Sequence, residues 1–153
     1  MNIYFNDSFL AAEENMHFDK ELLFKAEDLA ASAEDIPVYV RAYEWTVPAI
    51  TFSEKQKLPA DLKKHENSTR FTGGGILFHC PGDIIFSVVT SLKNKKFPEK
   101  IKDKAWSISG KVEAFLASCS IDVCKKENKA LTKEREYCAT YYSPYELYLG
   151  EQK

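Results

Sequence analysis

Two kinds of hydrophobic spacing alternate along this chain. Leu22, Leu23, Ala26, Leu29, Ala30 and Ala33 recur every three or four positions, the spacing of one helix face. Residues 8–33 therefore read as a helix, with Asn6, Asp7 and Ser8 available as caps. PVYVRAYEW (37–45) and PAITFS (48–53) are short, β-branched and aromatic, each opened by a proline; they read as strands with a turn between Trp45 and Pro48. LPADLKKHENS is polar and reads as a loop with one helical turn, and STRFT returns to strand. ILFHC and DIIFSVVT flank Pro81-Gly82, which predicts a hairpin. Pro98 opens a second helix running to about Ser120, with Ile101, Ala105, Ile108, Val112, Phe115 and Leu116 on its apolar face. SIDVCKK and SPYELYLG read as closing strands. Helix, strands, helix, strands, without βαβ alternation or repeat, points to an α+β fold. No low-complexity linker interrupts it, so residues 1–153 read as a single domain.

Composition adds little to that picture. At 153 residues, 44% hydrophobic and 29% charged, the chain is an ordinary globular sequence, long enough to bury a core. No apolar run approaches the length of a membrane span. The start, MNIYFNDSFLAAEENM, carries acids where a signal peptide would be apolar, so a cytoplasmic protein is expected.

Charge is more informative, because it is uneven. Residues 1–36 hold nine acids and two lysines, whereas LKNKKFPEKIKDK places six lysines between Lys93 and Lys104. The lysines form either a basic face toward an acidic or phosphorylated partner, or a solvated loop and first helical turn. Only Phe97 interleaves with them, so nucleic-acid binding is not expected. Cys80, Cys119, Cys124 and Cys138 are read as reduced thiols. A zinc site would have to join His79 and Cys80 to Cys119 and Cys124, and no second compact pair supports it.

The segment RFTGGGILFHCPGD (70–83) fits none of these explanations. Three glycines inside a strand pattern imply special backbone angles or a close approach by something else. They form either a bulge that turns a sheet or a concavity whose backbone N–H groups take an anion. A P-loop is excluded because Gly75 is followed by Ile76-Leu77, and a dinucleotide fingerprint because Phe78 stands where a glycine is needed. Arg70 and His79 hold polar groups at the two ends of the same segment.

RFTGGGILFH resembles the signature of the lipoate–protein ligase A family: Arg-Arg, Thr or Ser, Gly-Gly-Gly, apolar residues, then His. Further blocks resemble the family in order. Upstream, Met16, Asp19 and Leu22 match a helix near its start, and Trp45, Pro48 and Gln56 match a strand block. Downstream, Tyr145, Glu146 and Gly150 precede Lys153 as in the family's block leading to its catalytic lysine. The likeness covers about residues 15–153.

The resemblance implies a mixed, largely antiparallel central sheet flanked by helices, as in biotin/lipoate protein ligase catalytic domains. It also implies a two-step reaction. Lipoate and ATP, with Mg²⁺, form lipoyl-adenylate and pyrophosphate, and the acyl group then passes to a lysine of a lipoyl-carrier domain. By motif position, Arg70 would hold a phosphate or carboxylate, and Thr72, Gly73, Gly74 and Gly75 would let the backbone pack against the ligand. His79 would sit beside the acyl-adenylate, or be a satisfied core histidine. Lys153 would stabilise charge on the reacting carboxylate and α-phosphate, and Glu146 could help hold Mg²⁺. Trp45, Ile76, Phe78 and Phe86 could line an apolar slot.

The sequence departs from the family at two places. Thr69 stands where the motif has its first arginine, and the family continues beyond its lysine whereas this chain ends at Lys153. A shortened gene product, one half of a split enzyme completed by a second chain, and a degenerate binding protein all accommodate that end. Two other functions compete. One is an octanoyl or lipoyl transferase using Cys138, which otherwise reads as a small buried hydrophobe. The other is a non-catalytic module binding a lipoyl group or a partner. Biotin-protein ligases share the fold, but their glycine-rich loop reads differently.

Overall fold

The computed structural model describes residues 2–5, 10–31, 36–125 and 147–149, with side chains from residue 10 onward. The described residues fall into two compact units, 2–94 in one and 95–125 with 147–149 in the other. Among them, no helix is long and apolar enough to cross a membrane.

The first unit is built on strand β2 (Val38–Glu44). Its alternation buries Tyr39, Arg41 and Tyr43 on one face, as a half-covered strand should. β2 pairs in parallel with β1 (Asn2–Phe5), a strand the hydrophobic pattern does not reveal, and antiparallel with β6 (Ile84–Thr90). A second three-stranded sheet has β3 (Ala49–Ser53) at its centre, parallel to β4 (Asn67–Arg70) and antiparallel to β5 (Leu77–His79). The fold is α+β with mixed sheets, as expected.

The hairpin expected at Pro81-Gly82 does not form: β5 and β6 belong to different sheets. The turn itself is present, with the Asp83 N–H donating to the Cys80 carbonyl and Gly82 at φ +90°. What carries β6 away from β5 is a pair of bonds to Trp45. The Gly82 N–H donates to the Trp45 carbonyl at 2.9 Å, and the Trp45 N–H donates to the Asp83 carbonyl at 3.0 Å. Glu44 lies opposite Ile84 and Ala49 opposite His79, so both strands advance five residues across the gap. The two sheets thus keep one antiparallel register through a shared corner.

Helix α1 (Ala12–Ala30) packs against β4 and β6. It starts later than the sequence suggests, with Ala11 as its N-cap; Asn6, Asp7 and Ser8 lie outside the described residues. Two carboxylates perform the capping. Glu14 accepts from the Ala11 N–H at 2.8 Å, and Glu66 accepts from the Ala12 N–H at 2.6 Å, suiting the positive end of the helix dipole. Glu66 immediately precedes β4, so this bond also fixes the helix to that strand. Leu22 and Ala26 are buried against Tyr39. Leu29, expected in the core, is 40% exposed because Ala26 already meets the start of β2 and the next turn runs past it. A separate cluster of Ile50, Leu58 and Ile76 fills the space beside β3.

The second unit holds α2 (Ile101–Ser118) and the antiparallel pair β7 (Cys124–Lys125) and β8 (Leu147–Tyr148). The buried residues of α2 are Lys104 and Ser109, flanked by half-buried Ala105, Ile108 and Val112. Ile101 and Phe115, expected on the buried face, share its angular position but lie in the first and last turns of the helix and are mostly exposed. Lys125 crosses the helix, pairing with Glu113 at 2.9 Å and lying over Trp106.

Candidate active site

Arg70, Thr72 and His79 line one cavity of about 410 Å³ within the first unit. Helix α1 supplies Met16, Asp19, Lys20 and Leu23 to its wall; the glycine segment and β5 supply Phe71 and Leu77; β6 supplies Phe86 and Val88. Apolar side chains therefore cover most of the lining, and polar ones reach it from α1, β2, β3 and β6 as well as from the glycine segment.

The glycine segment wraps around Arg70. This side chain is buried, and its guanidinium donates to the Gly73 carbonyl at 3.4 Å, to the Gly75 carbonyl, and to Thr51 Oγ1 at 3.1 Å. Gly74 has φ +98°, which a side chain would strain. Gly73 needs a different explanation, since nothing lies within 4 Å of a Cβ built there. The protein's own packing leaves that side open.

Thr51 passes the contact from Arg70 to His79, whose Nε2 lies 2.8 Å from Thr51 Oγ1. Because Oγ1 accepts from Arg70, its own proton can be given to Nε2, leaving the neutral ring protonated at Nδ1. Burial pushes the His79 pKa down to about 4; the Asp83 carboxylate opposes this and the Arg70 cation reinforces it. His79 is thus a neutral imidazole at physiological pH.

Trp45 lies against His79 rather than in the cavity. The rings stack with centroids 4.4 Å apart, and Trp45 is 1% exposed. Ile76 belongs to the cluster with Ile50 and Leu58, and Phe78 is exposed elsewhere. Of the four side chains expected to form an apolar slot, only Phe86 lines this cavity. Leu23, Leu77 and Val88 are among its other apolar lining residues. Glu146, Lys153 and Cys138 lie outside the described residues. Cys80, Cys119 and Cys124 are free, exposed thiols.

The polar floor of the cavity was not anticipated from the sequence. Asp19 accepts from Arg41 at 3.0 Å, from the Ser87 hydroxyl at 2.7 Å and from the Tyr43 phenol. Arg41 is fully buried; it also donates to the carbonyl and side-chain oxygens of Asn15 and stacks on Tyr43. Burial first, and then the Asp19 carboxylate, raise the Tyr43 pKa above its usual range, so it stays a hydrogen-bond donor. The signal was present: strand alternation puts Arg41 on the same face as Tyr39 and Tyr43, where a lone arginine requires an acid.

Comparison with known proteins agrees with this architecture. No protein-family model and no curated protein matches the chain. Among solved structures, a protein from T. acidophilum assigned as a lipoate protein ligase, with bound lipoic acid, is similar over 99% of this chain, with 19% identity and a TM-score of 0.62. The same protein without that molecule gives the same values. A lipoate-protein ligase A bound with ATP is similar over 99% of this chain, with 19% identity and a TM-score of 0.61. This chain spans 59% and 58% of the length of those two proteins. The chain has the fold of the lipoate–protein ligases.

Proposed function

We propose that the chain is a lipoate–protein ligase-like domain whose cavity takes the aliphatic acyl chain of lipoate or octanoate. The observation that carries this reading is the open side of Gly73 beside an apolar cavity lined by Arg70, Thr72 and His79. A largely apolar cavity suits a hydrocarbon tail, and polar side chains in its wall suit the carboxylate.

In the proposed reaction, a carboxylate oxygen attacks the α-phosphorus of ATP and pyrophosphate leaves. A carrier lysine amine then attacks the acyl carbon, forming the amide and releasing AMP and a proton. The described residues would act by position. Arg70 holds the glycine segment in shape through the carbonyls of Gly73 and Gly75, so that the backbone can pack against the ligand. Neutral His79, backed by Trp45 and held by Thr51, offers a hydrogen bond without adding charge beside the reacting carboxylate. Fixed donors that need no rearrangement during reaction account for much of such catalysis. Lys153 is proposed as the cation at the reacting centre.

Mg²⁺ would come to this site with the phosphates of ATP. The described cavity supplies no further ligand for it, because its one carboxylate, Asp19, is held by Arg41, Ser87 and Tyr43. Glu146 is kept as the proposed acid. The proposed domain is one catalytic module acting in the cytoplasm, with a carrier domain as acceptor and a second chain as a candidate for completing it. Its test is incubation with lipoate, Mg²⁺-ATP and a lipoyl-carrier domain. Pyrophosphate release and a carrier heavier by one lipoyl group support the proposal; a carrier of unchanged mass, with no pyrophosphate, defeats it.

A further inference from the structure

The cavity holds one cation that takes no part in the proposed reaction. Its charged lining residues are Asp19, Lys20 and Arg70. Asp19 is engaged by Arg41, Ser87 and Tyr43, and Arg70 is turned into the glycine segment. Lys20 differs. Among the described residues its ammonium has aromatic neighbours only, lying 4.6 Å from the Phe71 ring centroid and 5.8 Å from that of Phe24. The two adjacent acids on α1 are occupied elsewhere, Asp19 as stated and Glu21 with His17 at 3.2 Å. Phe71 adjoins Arg70 and Thr72, so its contact with Lys20 sets the ammonium beside the glycine segment in the cavity wall.

A lysine over a ring keeps most of its capacity for hydrogen bonding, because the ring uses none of its three donors strongly. It can move toward an anion by rotating a flexible stem. We propose that Lys20 binds the carboxylate of the acyl ligand and thereby selects a free acid over a neutral chain of the same shape. This rests on the reading of the cavity as an acyl slot. The geometry also joins recognition to the glycine segment, since the residue that meets the carboxylate is the one that touches Phe71.

The test measures, by calorimetry, binding of lipoate, of its neutral amide lipoamide, and of ATP to the full chain. The proposal expects wild type to prefer lipoate over lipoamide. Lys20→Met should lose about 10- to 100-fold in lipoate affinity, the range for a hydrogen bond to a charged group, with lipoamide and ATP unchanged. Lys20→Arg should keep the preference, and thermal unfolding should show both variants folded. Equal weakening of lipoate and lipoamide would make Lys20 only a clasp for Phe71 and overturn the proposal. A loss confined to ATP would make it a nucleotide contact and overturn it too, as would unchanged affinity for all three. If wild type binds neither lipoate nor lipoamide, the acyl-slot reading fails first and this inference falls with it.

Discussion

Trp45 and His79 stack face to face, their ring centroids 4.4 Å apart and their planes inclined by 21°. Trp45 directly follows β2 and His79 ends β5, at the corner where the two sheets meet. Trp45 also meets Tyr43 edge-on at 6.0 Å, and its buried indole Nε1 has no hydrogen-bond partner among the described residues. Trp45→Ala should therefore destabilise the first unit by about 3–5 kcal/mol. Trp45→Phe should cost only about 1–2 kcal/mol, because it retains much of the ring and removes an unpaired donor. Urea unfolding of the two variants checks the order.

His79 makes stability depend on pH. Its pKa is about 4 when folded, against 6.5 in the unfolded chain. The unfolded state takes up the proton first as pH falls, so this contribution is complete above pH 6.5 and lost as pH drops through about 4. It should amount to on the order of 2–3 kcal/mol. An NMR titration should place the His79 midpoint near 4. Asp83→Asn, which removes the one opposing charge, should move it lower, and Trp45→Ala, which admits water, should move it higher.

Gly73 and Gly74 should behave as opposites. Gly74→Ala forces a side chain onto a backbone at φ +98° and should cost about 1–3 kcal/mol. Gly73→Ala meets nothing within 4 Å and should leave stability within about 0.5 kcal/mol of wild type. If ligand passes over that open side, Gly73→Ala should still lower lipoyl-adenylate affinity by about tenfold or more, since a methyl group in a close contact costs about 1–3 kcal/mol. Calorimetry beside thermal unfolding separates the two effects.

Arg41 and Asp19 are expected to be strongly coupled. Arg41→Leu leaves a carboxylate largely inside the fold without its cation and should cost about 3–5 kcal/mol. Asp19→Asn in the same chain should recover about 1–3 kcal/mol of that loss. Additive effects in the double-mutant cycle would contradict a shared network.

The sequence made the strands legible because alternation and prolines mark β2, β3 and β6 directly. It made the glycine segment conspicuous because no periodic element explains three glycines. It did not reveal which sheet each strand joins: Pro81-Gly82 carries a turn signal, while the bonds that separate β5 from β6 come from Trp45, far away in sequence. The capping of α1 was hidden for the same reason, since Glu66 reaches it from 54 residues away. Ile76 and Phe78, expected in an apolar slot, do not line the cavity, because apolar character alone does not tell a cavity wall from core or exposed surface. Arg41 is legible in principle, on the buried face of β2 with Tyr39 and Tyr43, but strand alternation does not name the acid it meets, Asp19, 22 residues away on α1.

If the cavity beside the glycine segment is an acyl slot, lipoate must perturb the methyl groups that line it, which methyl NMR detects residue by residue. Lipoate is titrated into protein labelled at leucine and valine methyls. The account predicts saturable shifts at Leu23, Leu77 and Val88, which line the cavity, and none at Leu58, which packs with Ile50 and Ile76. Shifts absent from Leu23, Leu77 and Val88 at saturating lipoate would contradict it.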